Sequence, residues 1–185
     1  MNWTEEILRS VHEVTSHFGR QGDGLREPLI TAVRALILRF HQSLLELELE
    51  ERPWGYDRAS LGLTDDGCEV IVVRTRGDSM EPHNHVGLEE GQERAIDWGL
   101  VFPFDGAVMN ETFNRQGQGA HVLLRGPRTR IDFATPLFIP EQRRAPIHRL
   151  VADPHGSVAR SLHVYGGNTD RSVFFRPSEG WVIAS

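Results

Sequence analysis

One cysteine, Cys68, is all the chain has among 185 residues. That excludes an internal disulfide framework and fits a reducing cytoplasm, which is the expected location. Cys68 falls in Gly67-Cys-Glu-Val-Ile-Val-Val, at the start of a strand pattern. It reads there as a small buried residue rather than a nucleophile. No apolar run approaches the roughly 18 residues that a membrane span needs, and the N-terminus has neither the basic nor the apolar region of a signal peptide. Positive charge is not in excess: the net charge is -6 and the 20 basic residues are scattered. The densest basic run, Arg125, Arg128 and Arg130, reads as a solvated strand or loop face and not as a nucleic-acid surface. No internal repeat or low-complexity segment is visible. What remains is an ordinary globular composition, 39% hydrophobic and 25% charged. The expectation is one domain over residues 1–185, monomeric by default, binding neither nucleic acid nor membrane.

The first 50 residues have helical periodicity. Thr4 is placed to cap a helix whose first turn carries Glu5 and Glu6, followed by Ile7, Val11, Val14 and Phe18. After a break over residues 19–24, Pro28 suits the first turn of a second helix with Leu29, Val33, Leu36, Ile37 and Phe40 on one side. These stripes read as packing surfaces for the rest of the domain. From Gly55 the pattern changes to short strands at 69–74, 98–102, 108–113, 121–124, 136–139, 161–165 and 172–175, separated by Gly, Pro and Asp. In the stretch Val101-Phe-Pro-Phe-Asp-Gly106, Pro103 sits inside a strand pattern, which suggests an edge or a bulge. The predicted fold class is mainly β, a jelly-roll barrel preceded by two or more α-helices.

Three histidines carry the chemistry. In Pro82-His83-Asn84-His85, the two histidines are separated by one residue and so point to the same face of a strand, which lets two imidazoles close on one metal ion. His148, in Ile147-His148-Arg149, supplies a third nitrogen from a distant strand. Imidazole suits Zn, Cu, Fe and Ni, so the ligand set alone does not name the metal. Ser161, His163 and Tyr165 share one strand face, which permits a hydrogen-bond relay from serine through histidine to the phenol. A hydrolase reading of Ser161 and His163 fails, because both lie on one flat strand with no nucleophile elbow. His12, His17, His41, His121 and His155 receive no role.

The segments Tyr56-Asp-Arg58, Pro82-His-Asn-His85, Trp98-Gly99, Ile147-His-Arg149 and Ser161-Leu-His-Val-Tyr-Gly166 resemble the cysteine dioxygenase family of the cupin superfamily, in order and in separation. The resemblance runs from about Tyr56 to Gly167. It implies a cupin barrel with non-haem Fe(II) held by His83, His85 and His148, and a small-molecule thiol, L-cysteine or a close analogue, oxidised at sulfur by O2 to the sulfinate. It implies that Arg58 pairs with the substrate carboxylate, that Tyr56 lines the same pocket, and that Tyr165 faces substrate and oxygen with His163 and Ser161 behind it. Related 3-mercaptopropionate dioxygenases generally carry glutamine where Arg58 stands, which favours cysteine. Gly99 stands where some animal members have a cysteine that crosslinks to the tyrosine, so no Cys-Tyr cofactor is expected.

The chain departs from the family over residues 86–97, a connection longer than usual and containing Glu89, Glu90 and Glu93. Many cupins place a metal-binding glutamate after His-x-His, which makes Glu89 or Glu90 the alternative fourth ligand. The glycine that normally follows is replaced by Ile96 and Asp97, so an inserted loop at the site mouth is the favoured reading. Alternatives stay open: a divergent cysteine-oxidising cupin giving a rearranged or sulfonamide-type product, a metal-binding cupin that senses a small molecule without turnover, and a four-ligand Mn or Ni enzyme.

Overall fold

The computed structural model describes residues 2–18, 24–52, 56–77, 80–85, 96–117, 121–139, 147–156, 158–167 and 173–184. Helix α1 (Trp3–Phe18) and helix α2 (Arg26–Glu46) come first. The strands are β1 (Glu50–Arg52), β2 (Tyr56–Leu63), β3 (Cys68–Arg76), β4 (His83–Asn84), β5 (Ile96–Asp105) and β6 (Val108–Arg115). They continue as β7 (Val122–Ile131), β8 (Leu137–Ile139), β9 (Ile147–Ala152), β10 (Val158–Gly167), β11 (Val173–Phe174) and β12 (Val182–Ala184). One sheet has the order β1-β2-β3-β10-β5-β8 and the other β11-β4-β9-β6-β7-β12. The eight strands from β3 to β10 alternate between the sheets as β3-β10-β5-β8 and β4-β9-β6-β7. That interleaving is a jelly roll, two Greek keys folded on each other, as the sequence predicted.

Side-chain alternation explains the layering. On β3, β5 and β10, one set of residues points into the barrel: Ile71, Val73, Val101 and Tyr165 pack with Leu150 of the opposite sheet and with Met80. The other set, Cys68, Val70, Val72, Leu100, Phe102, Leu162 and Val164, packs against the helices. The helices contribute Ile7, Val11, Leu29, Val33, Ile37 and Leu44, all fully buried. These strands are therefore buried on both faces, which is why they read as nearly continuous apolar runs. Among the described residues no helix is long and apolar enough to cross a membrane.

Local structure departs from the sequence reading in a few places. Helix α1 begins at Trp3, so Thr4 lies inside the first turn and does not cap it; its backbone N–H donates to Asn2 Oδ1 at 3.4 Å instead. Phe18 is exposed, and Thr15, not Val14, completes the buried stripe because its hydroxyl is satisfied by the Val11 carbonyl at 3.0 Å. Strands β1, β2 and β12 were not anticipated, since their mixed polar composition hides the alternation. Pro103 does mark a bulge: the β10–β5 register shifts between Arg160 opposite Asp105 and Ser161 opposite Pro103.

All 20 basic residues are arginines. Arg125 and Arg128, with Arg149, surround the fully buried Glu111 on the outer face of the second sheet, which holds its carboxylate below the usual range despite burial. Arg130 pairs with Asp132 and Asp153. The basic run on β7 is thus a set of ion pairs on a strand face.

Leu162 is fully buried between β10 and the helices. Leu162→Ala is expected to lower stability by about 2–5 kcal/mol in urea unfolding. A loss under about 1 kcal/mol would contradict the helix-covered sheet.

Candidate metal centre

The barrel brings the three histidines together. His83 on β4 lies directly opposite His148 on β9, and His85 follows just after β4 ends. Strand β4 is only two residues long, so His85 is placed by the bend after it rather than by an extended strand. Ring centroids are 5.1 Å apart for His83 and His85, 4.7 Å for His83 and His148, and 5.5 Å for His85 and His148. The three ligand nitrogens lie within 4.8 Å of one another, and all three residues are buried.

Hydrogen bonding sets two of the tautomers. His83 Nδ1 faces the Glu81 carbonyl at 3.1 Å and must be the donor. His148 Nδ1 faces Asn110 Oδ1 at 2.9 Å and donates likewise. Each Nε2 is left with a free lone pair, the orientation that outer partners impose on metal-ligating histidines. His148 Nε2 then points at His85 Nε2 across 3.4 Å. Two nitrogens on one ion at about 2.1 Å sit about 3.0–3.4 Å apart, so this pair already has the spacing of shared ligation. Burial holds His83 down to about 4, and holds His85 and His148 well below their ordinary range, with the neighbouring histidines adding to it. Neutral imidazoles with converging lone pairs fit a divalent cation.

Beside them runs the relay. Ser161 Oγ lies 2.7 Å from His163 Nε2, and His163 Nδ1 lies 2.8 Å from the Tyr165 hydroxyl. Burial, then the nearby His83 and Arg58, holds His163 down to about 3, so its ring is neutral and offers one donor and one acceptor. Burial, then Tyr56 and Glu69, pushes the Tyr165 phenol well above its ordinary value, so it keeps its proton. Gly99 stands opposite Tyr165 on β5, and a Cβ there would lie 3.0 Å from two Tyr165 ring carbons. Cys68 alternates to the helix-facing side of β3, away from this ring.

One cavity of about 40 Å³ joins these groups. His83, His85, His163, Tyr165, Tyr56 and Arg58 form its polar part. Ile71, Val73, Met80, Leu150 and Phe174 form the apolar wall, which the sequence analysis did not assign to the site. Phe174 stacks on His83 with centroids 5.1 Å apart, because β11 pairs with β4 and places the two opposite each other. Met80 is fixed by the Leu150 N–H, which donates to its sulfur at 3.4 Å. Asn110 and Glu69 were also missed. Glu69 had a readable signal, an acidic residue in phase with the inward-facing Ile71 and Val73. Residues 86–95, with Glu89, Glu90 and Glu93, lie outside the described residues; Ile96 and Asp97, assigned to the same insert, belong to β5.

No known family model matches the chain, and no curated protein matches it. Among solved structures it is similar to the cupin domain of Cnp3 from Schizosaccharomyces pombe, at 13% identity and a TM-score of 0.41, over 68% of each chain. It is similar to PAC13 from Streptomyces with uridine, at 16% identity and a TM-score of 0.44, over 74% of this chain and 92% of that one. A recombinant oxalate oxidase in complex with glycolate gives 15% identity and a TM-score of 0.44, over 67% of this chain and 57% of that one.

Two predictions follow from the histidine environment. Asn110→Ala frees the His148 ring and is expected to weaken metal affinity about 10–100-fold in a competition titration; unchanged affinity would remove Asn110 from the site. His83 and His163 have folded values below the unfolded one near 6.5, so the unfolded chain binds more protons in acid. Stability of the metal-free protein is therefore complete above about pH 6.5 and falls as pH drops toward about 4. Melting curves of the metal-free protein at pH 7.5 and pH 5 should show a marked drop at the lower pH. Equal melting temperatures would contradict the buried neutral state.

Proposed function

We propose that the chain is a non-haem Fe(II) thiol dioxygenase that oxidises the sulfur of L-cysteine, or a close analogue, to the sulfinate. The observation that carries this reading is one small cavity lined by His83 and His85, whose imidazoles converge with that of His148, by His163 and Tyr165 of the relay that starts at Ser161, and by Arg58. Three neutral ligands leave the ion dipositive, which favours an anionic thiolate. The reaction balances without an external reductant: sulfur gives up four electrons, O2 accepts four, and both oxygen atoms end on sulfur.

When bound, Fe(II) supplies a dipositive, redox-active centre that lowers the thiol pKa and engages O2. The protein's own groups do the rest. Arg58, which lines the cavity with Tyr56, orients the substrate carboxylate so that the sulfur lies toward the histidines. His163 donates its Nδ1 proton to the Tyr165 oxygen and accepts from Ser161, which leaves the Tyr165 O–H free to donate into the cavity. The phenol is too weakly acidic there to lose the proton, so it acts as a fixed hydrogen-bond donor. Ile71, Val73, Leu150 and Phe174 keep water away from the reacting sulfur.

The test is O2 uptake by anaerobically iron-loaded protein given L-cysteine, with mass spectrometry of the product. Uptake with a gain of two oxygen atoms is expected; no uptake with L-cysteine, 3-mercaptopropionate or cysteamine would refute the assignment. Tyr165→Phe is expected to keep its iron and lose about tenfold or more in turnover. Full turnover in that variant would take the phenol out of the reaction.

A further inference from the structure

Strand β4 carries His83 and leads into His85, so two of the three imidazoles depend on a strand of two residues. On one side β4 meets β9 through one pair among the described residues, His83 opposite His148. On the other side it is held by the C-terminal segment: in β11, Val173 stands opposite Asn84 and Phe174 opposite His83. The Phe175 N–H adds a bond to the Pro82 carbonyl at 2.8 Å. Without β11, β4 would be the edge of its sheet. Phe174 supplies part of the apolar wall of the cavity, but the contacts of residues 173–176 do more than line it.

A metal-binding imidazole needs its plane set as well as its tautomer, because the outer torsion of a histidine side chain is broad and lets the ring swing. The Glu81 carbonyl takes the Nδ1 proton of His83, which settles the tautomer but holds the ring at one atom only. Phe174 lies against the same ring, with centroids 5.1 Å apart and planes 30° from parallel, and limits the swing. Arg176 ties these two holds together. Its Nε donates to Glu81 Oε2 at 3.0 Å, and its guanidinium carbon lies 5.6 Å from the centroid of the Phe174 ring. Between them Phe175 alternates to the other side and packs with Phe113, Ile147 and Trp181, which anchors the segment on the face of the sheet away from His148. We propose, on the three-histidine metal reading and whichever thiol is oxidised, that residues 173–176 are a positioning clamp for the metal centre, in which Phe174 fixes the plane of His83 and Arg176 couples Phe174 to Glu81.

The experiment titrates Fe(II) anaerobically into the metal-free native protein and its variants, and records the melting temperature of each without metal. Phe174→Leu keeps an apolar side chain but loses the flat ring. It is expected to bind Fe(II) about three- to tenfold more weakly, with little change in the metal-free melting temperature. Phe174→Tyr keeps the ring and should keep the native affinity. Arg176→Gln, at a side chain 32% exposed, should weaken binding by a smaller factor and provides a second variant that leaves the core untouched. Both side chains act on one ring, so the double variant Phe174→Leu with Arg176→Gln should lose less than the product of the two single losses. Native Fe(II) affinity in Phe174→Leu would overturn the clamp, whether or not that variant melts earlier without metal. So would a Phe174→Tyr protein that binds as weakly as Phe174→Leu, or two single losses that simply multiply. A native protein that binds no Fe(II) would sink the metal reading and the clamp together, whereas native binding with unaffected variants would sink the clamp alone.

Discussion

Everything in this protein hangs on strands β3, β5 and β10 being buried on both faces. Their even-numbered residues must satisfy the helices and their odd-numbered residues must fill the barrel. On β10 this puts Leu162 and Val164 into the packing against α1 and α2, while Ser161, His163 and Tyr165 turn inward and are buried. The only solution for those three polar groups is to bond to one another, and they do so along one strand face. The relay is thus a consequence of the double-sided burial. A one-residue slip of β10 would exchange the relay for the apolar set and destroy both layers at once.

The opposite sheet meets the same constraint with a different answer. His83 and His148 face each other from β4 and β9, and their outer nitrogens are taken by the Glu81 carbonyl and Asn110. The inner nitrogens converge with His85 in a pocket that disfavours protonation. Such a converging set of neutral imidazoles could hold a divalent cation. Arg58 and Glu69 resolve the remaining polar burden of the wall by pairing with each other. The cavity is lined by members of all three arrangements: His83 and His85, His163 and Tyr165, and Arg58.

Much of this was readable in the sequence, and the reason is periodicity. Ser161, His163 and Tyr165 are spaced by two, so a strand assignment sufficed to predict their shared face; the same spacing pointed to His83 with His85, although His85 is placed by the bend after β4. The apolar runs of β3, β5 and β10 likewise exposed the strands that form the core. Strand β2 was harder, because Tyr56, Asp57 and Arg58 are all polar or amphipathic, and their burial depends on partners far along the chain. Asn110 could not be recognised as the orienting group of His148, since 38 residues separate them and only the β6–β9 pairing joins them. Phe174 and Met80 belong to the cavity through pairing and tertiary packing that no local pattern encodes. The first helix shows the limit at short range: Thr4 has a capping residue's chemistry, yet Asn2 two positions earlier takes the task.

The measurement that tests the central claim most directly is anaerobic Fe(II) titration of the native protein beside His83→Ala and His148→Ala, with X-ray absorption spectroscopy of the loaded native form. The account predicts one iron per chain, a coordination shell containing three imidazole nitrogens, and loss of binding in either variant. Full occupancy in either variant, or a shell without histidine, would contradict it.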